Sequence, residues 1–382
     1  MDTLTLNDQS LFASQGAKVI LGNNAAPGKL VTPLAPSAIN MFGPRAALML
    51  DNGSLWVSDT GHHRLLGWQI PTQDNQPADW LIGQPNFESE GQNAKSIPGR
   101  NSFSVPTGIC QCGAGLAVAD AWNHRVLIWK NVPEDSHVPA DLVLGQVNFT
   151  DNEPNRGNRE AAANTLNWCY GVFYYHGKLF VADTGNRRVL IWHQLPDENG
   201  QPADLVLGQP DMISRNENGG DNPNAASMRW CHDITFWGEN LVVTDAGNNR
   251  VMVWDKIPSQ NNTPCTLVLG QKNFEEVEMN QGLYFPSAAS LSMPYGVDAV
   301  RDWLLVADTA NSRLLGWKKA AQGAMADAIA GQYDYQSKGE NRDFGLPMRD
   351  SVNWCYGIKI CGKTAVVADS GNNRILLWDI RL

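Results

Sequence analysis

Three short runs hold the residue types from which chemistry could be built: Trp168-Cys169-Tyr170, Trp230-Cys231-His232 and Trp354-Cys355-Tyr356. A thiolate is a soft ligand, so Cys169, Cys231 and Cys355, with His232 as a fourth donor, are a set that suits a soft metal such as zinc. Sulfur and aromatic edges also attract, by about 0.3–1.5 kcal/mol per contact. The same residues, with Tyr295, could therefore wall a binding cavity. The plainer alternative is a tight corner that needs a small side chain. The matching positions elsewhere read Val105-Pro106-Thr107, Met293-Pro294-Tyr295 and Pro44-Arg45-Ala46. At its strongest, the chemical reading predicts three thiols facing one partly open cavity lined by Tyr170, His232, Tyr295 and Tyr356.

Other chemistry is sparse. No Gly-x-x-x-x-Gly-Lys, His-Glu-x-x-His or Gly-x-Ser-x-Gly occurs. No catalytic residue and no particular cofactor is identified. Cys110 and Cys112 are expected on opposite faces of one strand, where they could not share a metal. His62, His63 and His124 fall in turns, as ligand candidates or as structural residues. Asp233 and Asp298 are the only carboxylates expected on the inner strands, too few for the six to eight oxygens calcium prefers.

The elements that must position these residues repeat along the chain. Val181-Ala-Asp-Thr-Gly-Asn-Arg-Arg-Val-Leu-Ile-Trp192 reads as two short strands joined by a tight turn. Its Asp recurs at Asp59, Asp120, Asp183, Asp245, Asp308 and Asp369, at intervals of 61 to 63 residues. Five residues after each comes Arg64, Arg125, Arg188, Arg250, Arg313 or Arg374, and four later a Trp. The Asp is expected to accept from turn N–H groups and the Arg to reach back to it, a structural pairing. Unbroken apolar runs such as Val189 to Trp192 predict strands covered on both faces.

Each period holds four strands: A near Gly171, B ending at the Asp, C ending at the Trp, and D ending at Leu-Gly-Gln. The last C strand lacks a following D, and an isolated D copy stands at residues 17–22. Bringing that segment round to complete the last blade closes a ring. The prediction is an all-β, six-bladed β-propeller of four antiparallel strands per blade, closed by the N-terminal strand. Residues 1–16 are expected to form a loose tail and 17–382 a single propeller. A linear solenoid would want capping repeats in place of a displaced strand.

The turns read Asn123-His124-Arg125-Val126, Gly61-His62-His63-Arg64-Leu65, Asn186-Arg187-Arg188, Asn248-Asn249-Arg250, Asn311-Ser312-Arg313 and Asn372-Asn373-Arg374. In these the chain resembles the NHL-repeat family of six-bladed propellers. Its period exceeds the roughly 40–45 residues of a usual blade. The excess sits in D-to-A connections of near-constant length: Gly83 to Gly108, Gly145 to Gly171, Gly208 to Asp233, Gly270 to Gly296 and Gly331 to Gly357 are each 25 or 26 residues apart. Most open with Gln and then an apolar residue, as in Gln84 and Phe87, expected to brace a rim that crowns one face of the ring.

Function is sought on that face. The leading expectation is a binding or scaffolding module for a protein partner or small ligand. The alternatives are a metal or cofactor carrier at the Trp-Cys-Tyr/His cluster, and a lyase or lactonase-type enzyme at the channel mouth, as the resemblance to calcium lactonases and amidating lyases implies. The formal charge of −10 argues against nucleic acid or an anionic membrane as partner, although Arg156, Arg159, Arg215, Arg229, Arg342 and Arg349 fall in the crown loops. No run approaches the ~18 apolar residues of a membrane helix. The seven cysteines are odd in number and irregularly spaced, and the start lacks a secretory pattern. A cytoplasmic monomer is the expectation.

Overall fold

A computed structural model describes residues 10–22, 35–342 and 344–382. Six four-stranded antiparallel sheets form the blades of a β-propeller. Blade three shows the pattern, with strand A at Val172–Tyr175, B at Lys178–Asp183, C at Arg188–Trp192 and D at Leu205–Leu207. In strand C of blade two, Val126 and Ile128 pack toward blade three while Leu127 and Trp129 pack toward blade one. Both faces are covered, so the run has no polar alternation.

Val19–Gly22 pairs with Arg374–Asp379 and completes blade six, as the displaced copy predicts. The expectation of a loose stretch just before it needs correction. Leu11, Phe12 and Ala13 are buried. In every other blade the strand C Trp donates its indole N–H to a C-to-D loop carbonyl, such as that of Gln201 or Val138. In blade six Trp378 donates to the Ala13 carbonyl at 2.8 Å, and the Phe12 ring stands edge-on to Trp378. Residues 11–13 therefore replace the missing C-to-D loop. Residues 1–9, the rest of that expected tail, lie outside the described residues.

The repeat pair sits at the hub of each blade. Asp183 and Arg188 are register partners, with Arg188 Nε 2.8 Å from Asp183 Oδ2 and both side chains fully buried. Asp183 Oδ1 accepts from the Asn167 backbone N–H and Oδ2 also from Asn186. The remaining Arg188 nitrogens donate to the carbonyls of Met212, Ala162 and Thr165. One guanidinium thus holds the D-to-A connections on both sides of its blade. The Gln of each connection adds a second clasp: Gln146 Nε2 donates to the carbonyls of Asn123, His124 and Glu153. A loop Asn adds a third, Asn155 exchanging hydrogen bonds with the turn residue Asn186. Constant loop length follows, since each loop must meet the same three clasps.

Turn histidines join neighbouring blades. The turn residue before each repeat Arg is left-handed, as at His124 with φ 50°. His124 Nδ1 accepts from the Trp168 backbone N–H of the next blade at 2.8 Å, and His63 Nδ1 accepts likewise from Val105. Asn249, Ser312 and Asn373 do the same with side-chain oxygens. Arg187 has no acceptor, and there the Trp230 N–H turns to Asp245 instead. His62 takes the place of the turn Asn in blade one, with Nδ1 2.9 Å from Asp59 Oδ2.

An accepting Nδ1 requires neutral imidazole, and burial lowers the His124 pKa from 6.5 to about 4. Between those values the unfolded chain takes up a proton that the folded one refuses. Stability is therefore full above pH ~6.5 and falls as pH drops toward ~4. His124→Asn supplies the acceptor used at Asn249 without a titrating group. It should remove about 2 kcal/mol of the stability lost between pH 7 and pH 5, as read by denaturant unfolding at both values. Identical pH dependence in the variant and the parent would refute this role.

Candidate functional site

The innermost strands approach one another closely. A Cβ on Gly171 would lie 2.2 Å from the His232 carbonyl oxygen, and one on Gly108 2.5 Å from that of Tyr170. Glycine is required for this contact, which narrows the channel. Just above it, the equivalent position of the six blades holds Arg45, Thr107, Tyr170, His232, Tyr295 and Tyr356. All but Thr107 line a shared cavity of about 20 Å³, room for one or two water-sized groups. His232 stacks on Tyr295 with ring centres 4.1 Å apart, and Tyr170 lies 4.4 Å from His232. The Arg45 guanidinium lies 3.4 Å from the centre of the Tyr356 ring.

The expected aromatic wall is present, but the thiols are not part of it. Cys169, Cys231 and Cys355 are fully buried between blades. Their Sγ atoms approach the carbonyls of Arg125, Arg188 and Arg313, each on the preceding blade. Burial pushes all three thiols well above their ordinary pKa, away from the thiolate a metal needs. The metal set of Cys169, Cys231, Cys355 and His232 is therefore corrected: each thiol serves a different interface. Proline occupies the same corner at Pro44, Pro106 and Pro294. Nothing in the packing explains why Trp accompanies Cys.

The match in blade one also needs correction by one residue. Ser370 donates to the Pro44 carbonyl as Thr184 does to Cys231, Thr309 to Cys355 and Thr60 to Pro106. The equivalent triplet is Gly43-Pro44-Arg45, which brings Arg45 into the inward ring. Alignment on the prolines would have found it. Cys110 and Cys112 share one face, as strand residues two apart do, and both pack between blades two and three.

Below the ring, Lys359 Nζ lies 2.9 Å from Asp233 Oδ2, an ion pair between blades six and four. Burial would push the Lys359 ammonium down, but Asp233 and Asp298 outweigh it and hold its pKa up. Asp298 accepts from Thr235 and from the Ile360 N–H. Both inner carboxylates thus tie strands together. Burial lowers His232 to about 4, and its Nδ1 lies 2.9 Å from the Trp230 carbonyl. Nδ1 therefore carries the proton and donates. Burial raises the Tyr170 and Tyr295 phenols, which stay protonated.

Around this mouth Trp168, Trp230 and Trp354 are half-buried, with Trp168 edge-on to both Tyr170 and His232. A cavity of about 280 Å³ beside the mouth is lined by Trp230, Val277, Met279 and Met293 among others. The crown arginines are largely engaged: Arg342 pairs with Asp350, Arg349 with Asp74, and Arg229 lies 3.0 Å from Glu217. A cleft of about 600 Å³ lies at the opposite end between blades one and two. None of its lining side chains has a buried polar atom without a partner.

Fold and mouth together define a six-bladed propeller with a plugged channel. No protein-family model and no curated protein sequence matches the chain. Among solved structures it is similar to a streptogramin B lyase, at 10% identity over 91% of this chain and 96% of the other, with a TM-score of 0.44. A virginiamycin B lyase from Staphylococcus aureus gives 10%, 89%, 96% and 0.40 in the same order. The WD40 repeats of RRP9 give 11%, 91%, 99% and 0.48. At such identities the likeness is one of fold.

Proposed function

We propose that the protein is a binding module that takes a protein partner on its crowned face. One observation carries this reading. Among the described residues, every exposed large apolar side chain except Ile70 and Met325 lies in a D-to-A connection or a B-to-C turn. They gather most densely in the loops of blades five and six, where Met279, Leu283, Tyr284, Phe285, Tyr333, Phe344 and Met348 are all more than half exposed. Lys338 of the second loop donates to the Tyr284 carbonyl of the first, which ties the two together. Apolar surface gathered on one face of a protein marks an interaction site. The rigid clasps below spare the loops much of the ordering cost of binding.

The test is a comparison of variants by affinity capture from the native host. Tyr284→Ser with Phe285→Ser, and separately Trp230→Ala, should lose the partner captured by the parent while unfolding at nearly the same temperature. A partner retained at parental levels by both variants would place the binding surface elsewhere.

A further inference from the structure

We infer that Arg45 and Tyr170 form a carboxylate-binding subsite at the channel mouth. Two donors there are unused: Arg45 Nη1 and the Tyr170 hydroxyl are both buried and have no hydrogen-bond partner. Both residues line the same small cavity. A buried donor left unpaired is costly, so such groups normally meet an acceptor. The charge identifies which kind. Lys359 is already held between Asp233 and Asp298 below, and His232 is uncharged at neutral pH. Arg45 makes no ion pair among the described residues. The guanidinium is thus a cation at the mouth with no ion pair among the described residues, in a protein whose formal charge is −10.

The complement of a guanidinium N–H and a phenol O–H is an anion with two acceptor oxygens. The cavity limits its size. About 20 Å³ admits the two oxygens of a carboxylate, while the rest of the ligand would emerge among Trp168, Trp230 and Trp354. Stacking on Tyr356 holds the guanidinium in place before the ligand arrives. The carboxylate could belong to a small free acid or to the C-terminal end of a polypeptide. The subsite relies on the crowned-face reading for where its ligand enters, but its chemistry stands apart from the loop patch.

The test uses the full-length protein in low-chloride buffer and follows tryptophan fluorescence, since Trp168 touches Tyr170 and His232. Sodium acetate should give a saturable change and acetamide none. Tyr170→Phe should weaken acetate about tenfold, the loss of one hydrogen bond to a charged group. Arg45→Met should abolish the response, and Arg45→Lys should keep part of it, which covers the case in which Arg45→Met does not fold. In a second arm, a hexapeptide with a free carboxyl end is compared with its carboxamide twin. Acetate-competable binding of the free form alone assigns a chain terminus; acetate binding without peptide binding assigns a small acid. No response to either, or a response unchanged in Arg45→Met, overturns the subsite. Partner capture retained at parental levels in both Tyr284→Ser/Phe285→Ser and Trp230→Ala, with acetate binding intact, would sink the loop reading and leave the subsite standing.

Discussion

Removal of residues 1–22 is expected to destabilise the entire ring, and removal of residues 1–14 to cost a smaller but measurable part of the same loss. Val19, Ile20 and Leu21 are all buried. At about 1.5–3 kcal/mol for each large aliphatic side chain, their burial is worth roughly 5–9 kcal/mol. Their loss also strips four register pairs from Arg374–Leu377 and leaves an open sheet edge. The shorter truncation removes Leu11, Phe12 and Ala13, and Trp378 then loses its carbonyl acceptor. The sequence pattern marks residues 1–16 as a loose tail because the stretch before the displaced D copy matches no other repeat. Residues 11–13 match none because they do the work of a C-to-D loop from the opposite direction. Melting curves of the parent and the two truncations should fall in three steps; equal curves for the two truncations would refute closure by the N-terminal strand.

Loss of a repeat arginine should be nearly as severe. Arg188→Ala strands the fully buried Asp183 carboxylate and leaves three loop carbonyls without their donor. Breaking one side of a buried ion pair costs about 3–5 kcal/mol, above the roughly 1–3 kcal/mol expected for an ordinary turn residue. Burial already pushes the Asp183 carboxyl up against the pull of Arg188. The pair is thus weak as a net stabiliser and costly to break. Its role is to hold the loops. The same substitution at Arg125 or Arg250 should cost about as much by denaturant unfolding, since each makes the equivalent contacts. A variant that lost partner binding without losing stability would mark its arginine as a contact residue.

The repeat Asp, Arg and Trp were legible because their spacing follows from hairpin geometry, which every copy must satisfy. The ring followed from counting strands, since one D copy stood at the wrong end. Side-chain direction at the channel mouth was not legible. Register shifts fall between Pro106 and Ile109, Cys231 and Ile234, Pro294 and Gly296, and Cys355 and Gly357. A bulge resets the inside-outside alternation, so the direction of a cysteine could not be counted from the strand beyond it. That is why His232 faces the channel while its neighbour Cys231 packs against the preceding blade. The loop asparagines Asn93, Asn155, Asn218, Asn280 and Asn341 recur at 61 to 63 residues. That signal was present, but polar residues in a long loop do not declare a buried partner.

The seam has a mechanical consequence. Val19–Gly22 and Arg374–Asp379 run antiparallel, and Phe12 lies beside Ile380. Both ends of the chain therefore leave the sheet at the same end of the same strand pair. Tension applied between them would load the backbone bonds one after another, peeling the closing strand like a zip. Tension applied along the strands would instead have to shear every bond together. Attachments at both termini would thus pull on the weakest direction of the ring, whereas a tether at one terminus would leave the seam unloaded.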